Sequence, residues 1–327
     1  MKIKQYEIDE IKLIEVENEK GLKVTFINKG ASIYTIYLND EIMTLSPKNI
    51  KDFVRDDLYY GKSIGPICSR ILNGKVTING IDYFLDVNAG TNNDMALHGG
   101  KHGYSTLFFD YEIKESDDEI KIIFTKLVKD MEYNYPGNVK LTFIYSVKKE
   151  ENTLILDTKF ISDKDAIFSL TNHAYFSLNE KHIKDLELFI NASNHVLLDK
   201  NTSLPVKEEK VNEIIDFRKF KNLYQDYNSA YLQDTVAKGY DHNYILDNPC
   251  LDKPSIILRS KKHKLEIYTI FKGIQTYTCN YSDDIDFINV EKGKNHGIAL
   301  EPQIPLSRRK IVPMNEEQSF TTIYKFF

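Results

Sequence analysis

Apolar and polar residues alternate with a period of two along much of the chain. In residues 139–147, VKLTFIYSV, every second residue from Val139 to Val147 is apolar, whereas Lys140 and Thr142 between them are polar. Successive side chains of a β-strand point to opposite faces, so this alternation is typical of strands with one buried face. The pattern predicts a fold built from antiparallel β-strands.

Turn signals separate these alternating runs into pairs. Residues 75–85 carry Asn79-Gly80 between β-branched residues, which is the strongest short-range signal for a β-hairpin. Further hairpins are predicted over 110–128, over 139–162 and over 255–271, and 319–327 predict a final strand. Only residues 211–220, VNEIIDFRKF, suggest a short helix. We therefore predict an all-β fold, a large antiparallel sandwich or barrel, as a single domain over residues 1–327.

Charge and composition give no support for a nucleic-acid or membrane partner. The net charge of −5 is mild, with both signs interspersed. No run approaches the roughly 18 apolar residues of a membrane-spanning helix, and the first twenty residues lack the apolar core of a signal peptide. Three cysteines without a CxxC spacing fit a reducing compartment. We expect a soluble, cytoplasmic protein.

Four short stretches place an ionisable side chain beside Gly, Asn or Pro, where the chain is expected to turn. They are ALHGG with His98, TNHAYFSL with His173, GYDHNYIL with Asp241 and His242, and GIALEPQ with Glu301. Loops and turns on a rigid sheet often carry catalytic groups. Each stretch also has a plainer interpretation. Each histidine could be a hydrogen-bonded core residue, and Glu301 could be a salt-bridge partner at the end of a strand that stops before Pro302. Adjacent Asp241 and His242 must point to opposite faces of a strand.

Metal and nucleophile chemistry are weaker interpretations of the same residues. The four stretches are far apart in sequence and show no HxH or HExxH spacing that would indicate a metal site. No strand-turn-helix context is evident for the nucleophile elbow of a hydrolase. What remains is an acid/base pair of histidine and glutamate beside a polar cleft, without a cofactor or metal.

Taken together and in order, seven stretches resemble the aldose 1-epimerase (galactose mutarotase) family. They are GPICSRILNGKVTINGIDYFL, ALHGG, YNYPGN, LTNHAYFSL, GYDHNYIL, GIQTYTCNY and GIALEPQ, and they span about residues 61–303. The resemblance implies one large β-sandwich, the supersandwich fold, and an isomerase that interconverts the anomers of a free aldose of the galactose or glucose class. It implies no cofactor and no metal, and the chain could be a monomer or a homodimer.

The resemblance also implies roles for individual residues in acid/base ring opening. Glu301 would be the base, His173 the acid, and His98 would lie near the ring oxygen or a neighbouring hydroxyl. Arg70 and Asp241 would hold ring hydroxyls.

Two further residues follow from the same resemblance. Gln275 would line the cleft, and His242 would point away from it into the structure.

Several positions depart from the family pattern, and two other functions stay open. The departures are Pro66, Ser69, the residues Asp94-Met95-Ala96 and the short connection after Gln303, all of which bear on substrate binding. The basic run 308–310 could hold the phosphate of a hexose 6-phosphate, although a solvated turn is the plainer interpretation. A non-catalytic carbohydrate-binding protein is the third possibility, and it would have no need of both His173 and Glu301.

Overall fold

The computed structural model describes residues 1–327, and short antiparallel strands make up most of it. The first nine strands are β1 (Lys2–Ile8), β2 (Ile11–Glu17), β3 (Leu22–Ile27), β4 (Ser32–Leu38), β5 (Glu41–Ile42), β6 (Ser63–Ile64), β7 (Arg70–Leu72), β8 (Lys75–Ile78) and β9 (Ile81–Phe84). The next nine are β10 (Met95–Leu97), β11 (Asp110–Glu115), β12 (Glu119–Val128), β13 (Val139–Lys148), β14 (Thr153–Ser162), β15 (Ala166–Ile167), β16 (Thr171–Asn172), β17 (Tyr175–Phe176) and β18 (Glu187–Ile190). The last ten are β19 (Asn194–Leu198), β20 (Pro205–Lys210), β21 (Lys221–Asn222), β22 (Asp241–Ile245), β23 (Ile256–Arg259), β24 (Lys264–Thr269), β25 (Gly273–Tyr277), β26 (Ile298–Gln303), β27 (Ile311–Val312) and β28 (Gln318–Phe326).

Helices are few and short. One turn of α-helix, α1, covers Ile50–Phe53 and another, α2, covers Ala230–Gln233. Four single 3₁₀ turns lie at Tyr104–Thr106, Glu132–Asn134, Ile183–Asp185 and Leu306–Arg308. None of these helices is long and apolar enough to cross a membrane.

Three sheets dominate the architecture. The largest has nine strands in the order β11-β12-β13-β14-β28-β24-β23-β18-β21. A six-stranded sheet has the order β17-β26-β25-β22-β19-β20, and β1 to β5 form a five-stranded meander. A cluster of 60 buried apolar residues draws on all three sheets, for example Tyr145 and Phe124 from the first, Leu300 from the second and Val24 from the third. Sheets that share one apolar core in this way form a β-sandwich, so the predicted all-β class is confirmed.

The predicted hairpins are present. In β8–β9, Asn79 and Gly80 both have positive φ, +49° and +80°, as a two-residue hairpin turn requires. The pairs β11–β12, β13–β14 and β23–β24 are also antiparallel neighbours. The period-2 pattern was sufficient for β12, β13, β14 and β24 because buried residues largely alternate with more exposed ones along these strands.

The helix predicted for residues 211–220 is wrong. The segment contains turns and bends. Side chains within it accept backbone N–H groups that backbone carbonyls would accept in a helix. The Asn212 carboxamide accepts the backbone N–H groups of Ile214 and Ile215, and Asp216 accepts that of Arg218. Asn and Asp side chains offer the backbone this alternative to helical hydrogen bonds. Ile215 and Phe217 are the buried residues of the segment, and their spacing of two is not that of a helix.

Candidate functional site

The six-stranded sheet has one apolar face and one polar face, and the polar face carries the candidate site. Leu300 on β26 packs into the main core, whereas its neighbour Glu301 points to the opposite side. Glu301 lies directly opposite Gln275 on β25, and Asp241 on β22 lies opposite Tyr277. Paired residues of antiparallel strands share a face, so three neighbouring strands bring these side chains together.

The strand that carries Glu301 does not end there, which corrects the expectation that Pro302 stops it. β26 continues through Pro302 to Gln303. Its neighbour β17 pairs only with Ile298 and Ala299, so β26 is an edge strand on that side at position 302. Proline, which lacks a backbone N–H, is tolerated at such an edge. The extra two residues place Gln303 on the same face as Glu301.

His173 lies in a break between the short strands β16 and β17, and its backbone is held at both ends. Its N–H donates to the carbonyl of Lys62, and its own carbonyl accepts the N–H of Gly61. The Asn172 carboxamide spans the break, because it donates to the Gly61 carbonyl at 2.8 Å and accepts the N–H of Ala174 at 3.1 Å. These contacts fix the direction of the imidazole without using its nitrogens.

His98 reaches the same place from a tight turn after β10. His98 itself has φ of +56°, and Gly99 and Gly100 follow with +92° and +77°. A Cβ on Gly99 would lie 2.0 Å from the carbonyl oxygen of Gly65, so the close approach of these backbones requires glycine. The backbone N–H of Ser69 donates to His98 Nδ1 at 3.2 Å. In the neutral ring, Nε2 therefore carries the proton.

A cleft of about 620 Å³ brings together all six residues predicted for the site. They are Arg70, His98, His173, Asp241, Gln275 and Glu301. Nε2 of His173 lies 3.4 Å from Oε1 of Glu301, which is beyond a normal N–H···O hydrogen bond. The rings of His98 and His173 are 5.0 Å apart and nearly perpendicular. The volume lies within the roughly 300–1,000 Å³ of ordinary small-molecule sites.

Asp241 is held between two polar partners at one side of the cleft. The carboxamide of Gln275 donates to its Oδ1 at 2.6 Å, and the Arg70 guanidinium lies 3.5 Å from its Oδ2. The Arg70 side chain is 28% exposed, so it remains accessible to a ligand. The two contacts orient the Asp241 carboxylate at the cleft wall.

Four polar atoms of the cleft are buried and have no hydrogen-bond partner. They are His173 Nδ1, Gln275 Oε1, Glu301 Oε2 and Gln303 Nε2. Buried polar groups in folded proteins are nearly always hydrogen-bonded, and leaving one unpaired costs about 1–3 kcal/mol. Orphaned donors and acceptors from two neighbouring strands and the β16–β17 break therefore indicate a ligand with several hydroxyl groups.

Burial moves the pKa values of the two central side chains in opposite directions. It raises the pKa of Glu301 well above its usual value, and the nearby Asp241 carboxylate adds to this. It lowers the pKa of His173 to about 4. Both shifts follow because burial disfavours the charged form. Each shift favours the neutral form of its group, and moving a proton from Glu301 to His173 leaves the net charge of the pair unchanged, which suits a proton exchange between the two residues.

His98 is also kept neutral. Burial lowers its pKa well below the usual value, and the neighbouring His173 adds to the shift. Four residues after it, at a spacing that can occur in metal sites, His102 lies on the outside of the molecule against Tyr133 and does not enter the cleft.

His242 lies on the opposite face of β22 from Asp241, as expected from their adjacency. It does not line the cleft, but it lines a second cavity rather than being packed within the core.

The basic run 308–310 does not reach the cleft. Arg308 pairs in a bidentate manner with Glu208, and Arg309 turns inward and donates to the carbonyl of Cys68. Because Arg309 is turned inward, it belongs neither to a solvated turn nor to a phosphate site in the cleft. No residue of the run lines the cleft.

Several of the positions that depart from the family pattern lie around the cleft, although Pro66 does not line it. Ser69 lines it and orients His98 through its backbone, and Asp94 and Met95 also line it. Ala96 is fully buried beneath them. These residues are in a position to affect which ligand fits the cleft.

Residues 61–65, GKSIG, match the Gly-x-Ser-x-Gly spacing of a nucleophile elbow, and the structure shows that they do not form one. Ser63 is fully buried in β6, where its hydroxyl donates to the carbonyl of Ala31 at 3.0 Å. No helix follows this strand, and Ser63 does not line the cleft. The spacing therefore has a structural role here.

Sequence reasoning missed several cleft residues, most of which had a detectable signal. Tyr175, Tyr277 and Gln303 line the cleft and lie two residues after His173, Gln275 and Glu301 respectively. On a strand, that spacing places them on the same face. Tyr59 had no such signal. Its ring packs on His98 at 4.7 Å and His173 at 6.0 Å.

Comparisons with known proteins agree with this geometry. A family model described as Aldose 1-epimerase matches residues 12–325. An aldose 1-epimerase of Haemophilus influenzae is 31% identical over 89% of this chain and 86% of its own length. The galactose mutarotase of Mus musculus is 28% identical over 93% and 91%. The crystal structure of galactose 1-epimerase from Lactobacillus acidophilus superimposes with a TM-score of 0.88 and 28% identity, covering 100% of this chain and 98% of the other.

Proposed function

The chain belongs to the aldose 1-epimerase family, an isomerase class, and from that premise we propose that it interconverts the α and β anomers of a free aldose of the galactose or glucose class. The observation that carries the proposal is the Glu301–His173 pair. The two side chains are almost fully buried, 3.4 Å apart, and open onto a cleft with unpaired polar atoms. Such a pair can take one proton from a substrate while giving it another.

The proposed reaction opens and closes the sugar ring. Glu301, as carboxylate, removes the proton of the C1 hydroxyl while protonated His173 gives its proton to the ring oxygen. The bond between C1 and the ring oxygen breaks, and the aldehyde forms. After rotation about the C1–C2 bond, the reverse steps close the ring from the other side. The pair holds one proton before and after, so no other reactant is needed.

The bound sugar itself helps to prepare the charged form of the pair. In the empty cleft, burial disfavours the carboxylate form of Glu301 and raises its pKa. Sugar hydroxyls that donate to its unpaired Oε2 stabilise the carboxylate, because a hydrogen bond to the charged form lowers a pKa. A proton on Glu301 then moves to His173, and the unpaired Nδ1 of the resulting imidazolium carries an N–H that can donate to a further hydroxyl oxygen.

The remaining residues of the site hold and polarise the sugar. We assign Asp241 and Arg70 to ring hydroxyls, because they form a charged pair at the cleft wall. Gln275 orients Asp241 and keeps its own carbonyl oxygen free. His98 presents its Nε2–H toward the reacting end of the sugar, next to His173. With Glu301 and His173, these residues make up the six of the site, and all of them act on hydroxyl groups or on the ring oxygen of the sugar.

The two other functions have less support. A hexose 6-phosphate epimerase would need a cation at the cleft that is free for the phosphate. Arg70 is paired with Asp241, Arg308 is occupied by Glu208, and no member of the basic run lines the cleft. A non-catalytic binding protein would not require a buried carboxyl and a buried imidazole with displaced pKa values, since such groups are costly to maintain.

Polarimetry on freshly dissolved α-galactose and α-glucose tests the proposal. The protein should accelerate the approach to the equilibrium rotation over the spontaneous reaction in the same buffer. The same measurement on glucose 6-phosphate serves as the comparison. A preference for the phosphorylated sugar would favour the sugar-phosphate epimerase. Sugar binding without any acceleration would favour the binding protein.

A further inference from the structure

A second cavity lies behind the wall of the catalytic cleft. Its volume is about 350 Å³, and it opens on the other face of β19 and β22. Asp241 and Ala237 border both cavities. The loop that includes residues 199–203 also divides between them, because Asn201 and Thr202 line the cleft whereas Asp199, Lys200 and Ser203 line the second cavity. The second cavity therefore adjoins the cleft across this shared wall and has a largely different set of lining residues.

Two histidines with unused hydrogen-bonding capacity line this cavity. His195 on β19 is 1% exposed, and neither of its ring nitrogens has a hydrogen-bond partner. The nearest charged group is Glu209, whose Oε1 lies 3.5 Å from His195 Nε2. His242 Nδ1 accepts the backbone N–H of Asp241 at 3.1 Å, so its Nε2 carries the proton of the neutral ring. The floor thus offers a donor from His242 and unpaired nitrogens from His195.

The walls of the cavity combine an aromatic face with apolar and hydroxyl groups. The ring of Tyr231 stacks on His242 with an interplanar angle of 19° and 6.0 Å between centroids. Leu197 and Leu198 lie on another side, and Ser203 and Thr235 contribute hydroxyl groups. This mixture is typical of sites for small polar molecules that also have an apolar face.

The charges around the cavity exclude other ligand classes. Asp199 and Asp234 outweigh Lys200, the single cation that lines the cavity, and Glu209 behind His195 is paired with Lys207, so the balance disfavours an anion. No group of three histidine, cysteine or carboxylate side chains is arranged to hold a metal ion. A neutral ligand that both donates and accepts hydrogen bonds remains.

We propose that this second cavity binds a neutral polyhydroxylated molecule of monosaccharide size, separately from the cleft. A hydroxyl oxygen accepts from His242 Nε2, and hydroxyl protons go to His195 and to the carboxylates of Asp199 and Asp234. The C–H face of the ring lies against Tyr231. The proposal stands on the cavity and is independent of the function proposed for the cleft.

Binding stoichiometry with D-galactose as the probe tests this site. Ala230 is an exposed residue at the mouth of the second cavity, and Ala230→Trp should block entry without disturbing the core. Leu198→Trp fills the cavity from its wall and provides a second variant. Val206→Trp is the matched control, because Val206 is 60% exposed on the neighbouring β20 and lines neither cavity.

We expect two bound sugars per chain for the unaltered protein and for Val206→Trp, and one for Ala230→Trp and for Leu198→Trp. Arg70→Ala should weaken the cleft event alone. A single binding event in the unaltered protein, as for a cavity that holds only water, would overturn the proposal, and so would two events in both cavity variants. If the protein fails to accelerate anomer exchange but keeps a binding event that Ala230→Trp removes, only the function proposed for the cleft has failed.

Discussion

His242 makes the folded protein sensitive to acid, and the size of this effect can be worked out. Burial lowers the pKa of its imidazole from 6.5 to about 3. Between these values the unfolded chain binds a proton at this side chain and the folded chain does not. Stability is therefore fully present above about pH 6.5 and falls as the pH is lowered toward 3, because protons favour the unfolded state.

The magnitude follows from the two pKa values. From pH 7 to pH 5 the unfolded histidine becomes almost fully protonated, whereas the folded one stays neutral. Integrating the difference in bound protons gives a loss of up to about 2 kcal/mol in the free energy of unfolding. His242→Asn removes this contribution, and the Asn carbonyl oxygen can still accept the N–H of Asp241.

Urea unfolding at pH 7 and pH 5, followed by far-UV circular dichroism, measures the effect. We expect the unaltered protein to lose up to about 2 kcal/mol more than His242→Asn between the two pH values. His102→Asn is the control, because His102 lies exposed on the surface, and it should behave like the unaltered protein. Equal losses in the unaltered protein and in His242→Asn would refute the reasoning.

Two further predictions concern the cleft and the core behind it. Asp241→Asn should raise KM for galactose by roughly ten- to a hundredfold with a smaller effect on kcat, because it weakens charge-assisted hydrogen bonds that are made before and during the reaction. Steady-state kinetics measure both constants. A fall in kcat with an unchanged KM would contradict this role. Tyr145→Phe should lower the free energy of unfolding by about 1–3 kcal/mol. In this buried site the Tyr145 hydroxyl donates to the Ala31 carbonyl at 2.7 Å and accepts from Asn172 at 3.2 Å, and phenylalanine makes neither bond. An unchanged midpoint of urea unfolding would count against this prediction.

Much of the fold could be predicted because the sequence repeats one local rule. The alternation in β13 and β14 and the Asn79-Gly80 turn each act over a few residues, so they are visible without tertiary information. The helix expected at 211–220 failed for the same local reason, because the Asn212 side chain supplies an alternative to helical hydrogen bonds. The single domain over 1–327, the cytoplasmic location and the oligomeric state stay predictions.

The site was predictable residue by residue but not in its arrangement. His98, His173 and Glu301 lie on separate segments, and only the sheet order and the turn after β10 bring them together. Tyr59 was missed because it contacts the two imidazoles across the fold, with no local pattern. The inward turn of Arg309 also depends on a distant partner, the carbonyl of Cys68. Contacts over such separations leave no signal in neighbouring residues.

The rate of anomer exchange in Glu301→Gln tests the central claim most directly. Glutamine keeps the size of the side chain but cannot take a proton, so polarimetry on α-galactose should show a rate lower by roughly 10²–10⁴-fold, the usual contribution of a positioned general base. Sugar binding should remain. Glu112→Gln, at an exposed residue of β11, is the matched control and should keep the full rate. A Glu301→Gln protein that works at the unaltered rate would remove Glu301 from the mechanism and contradict the account.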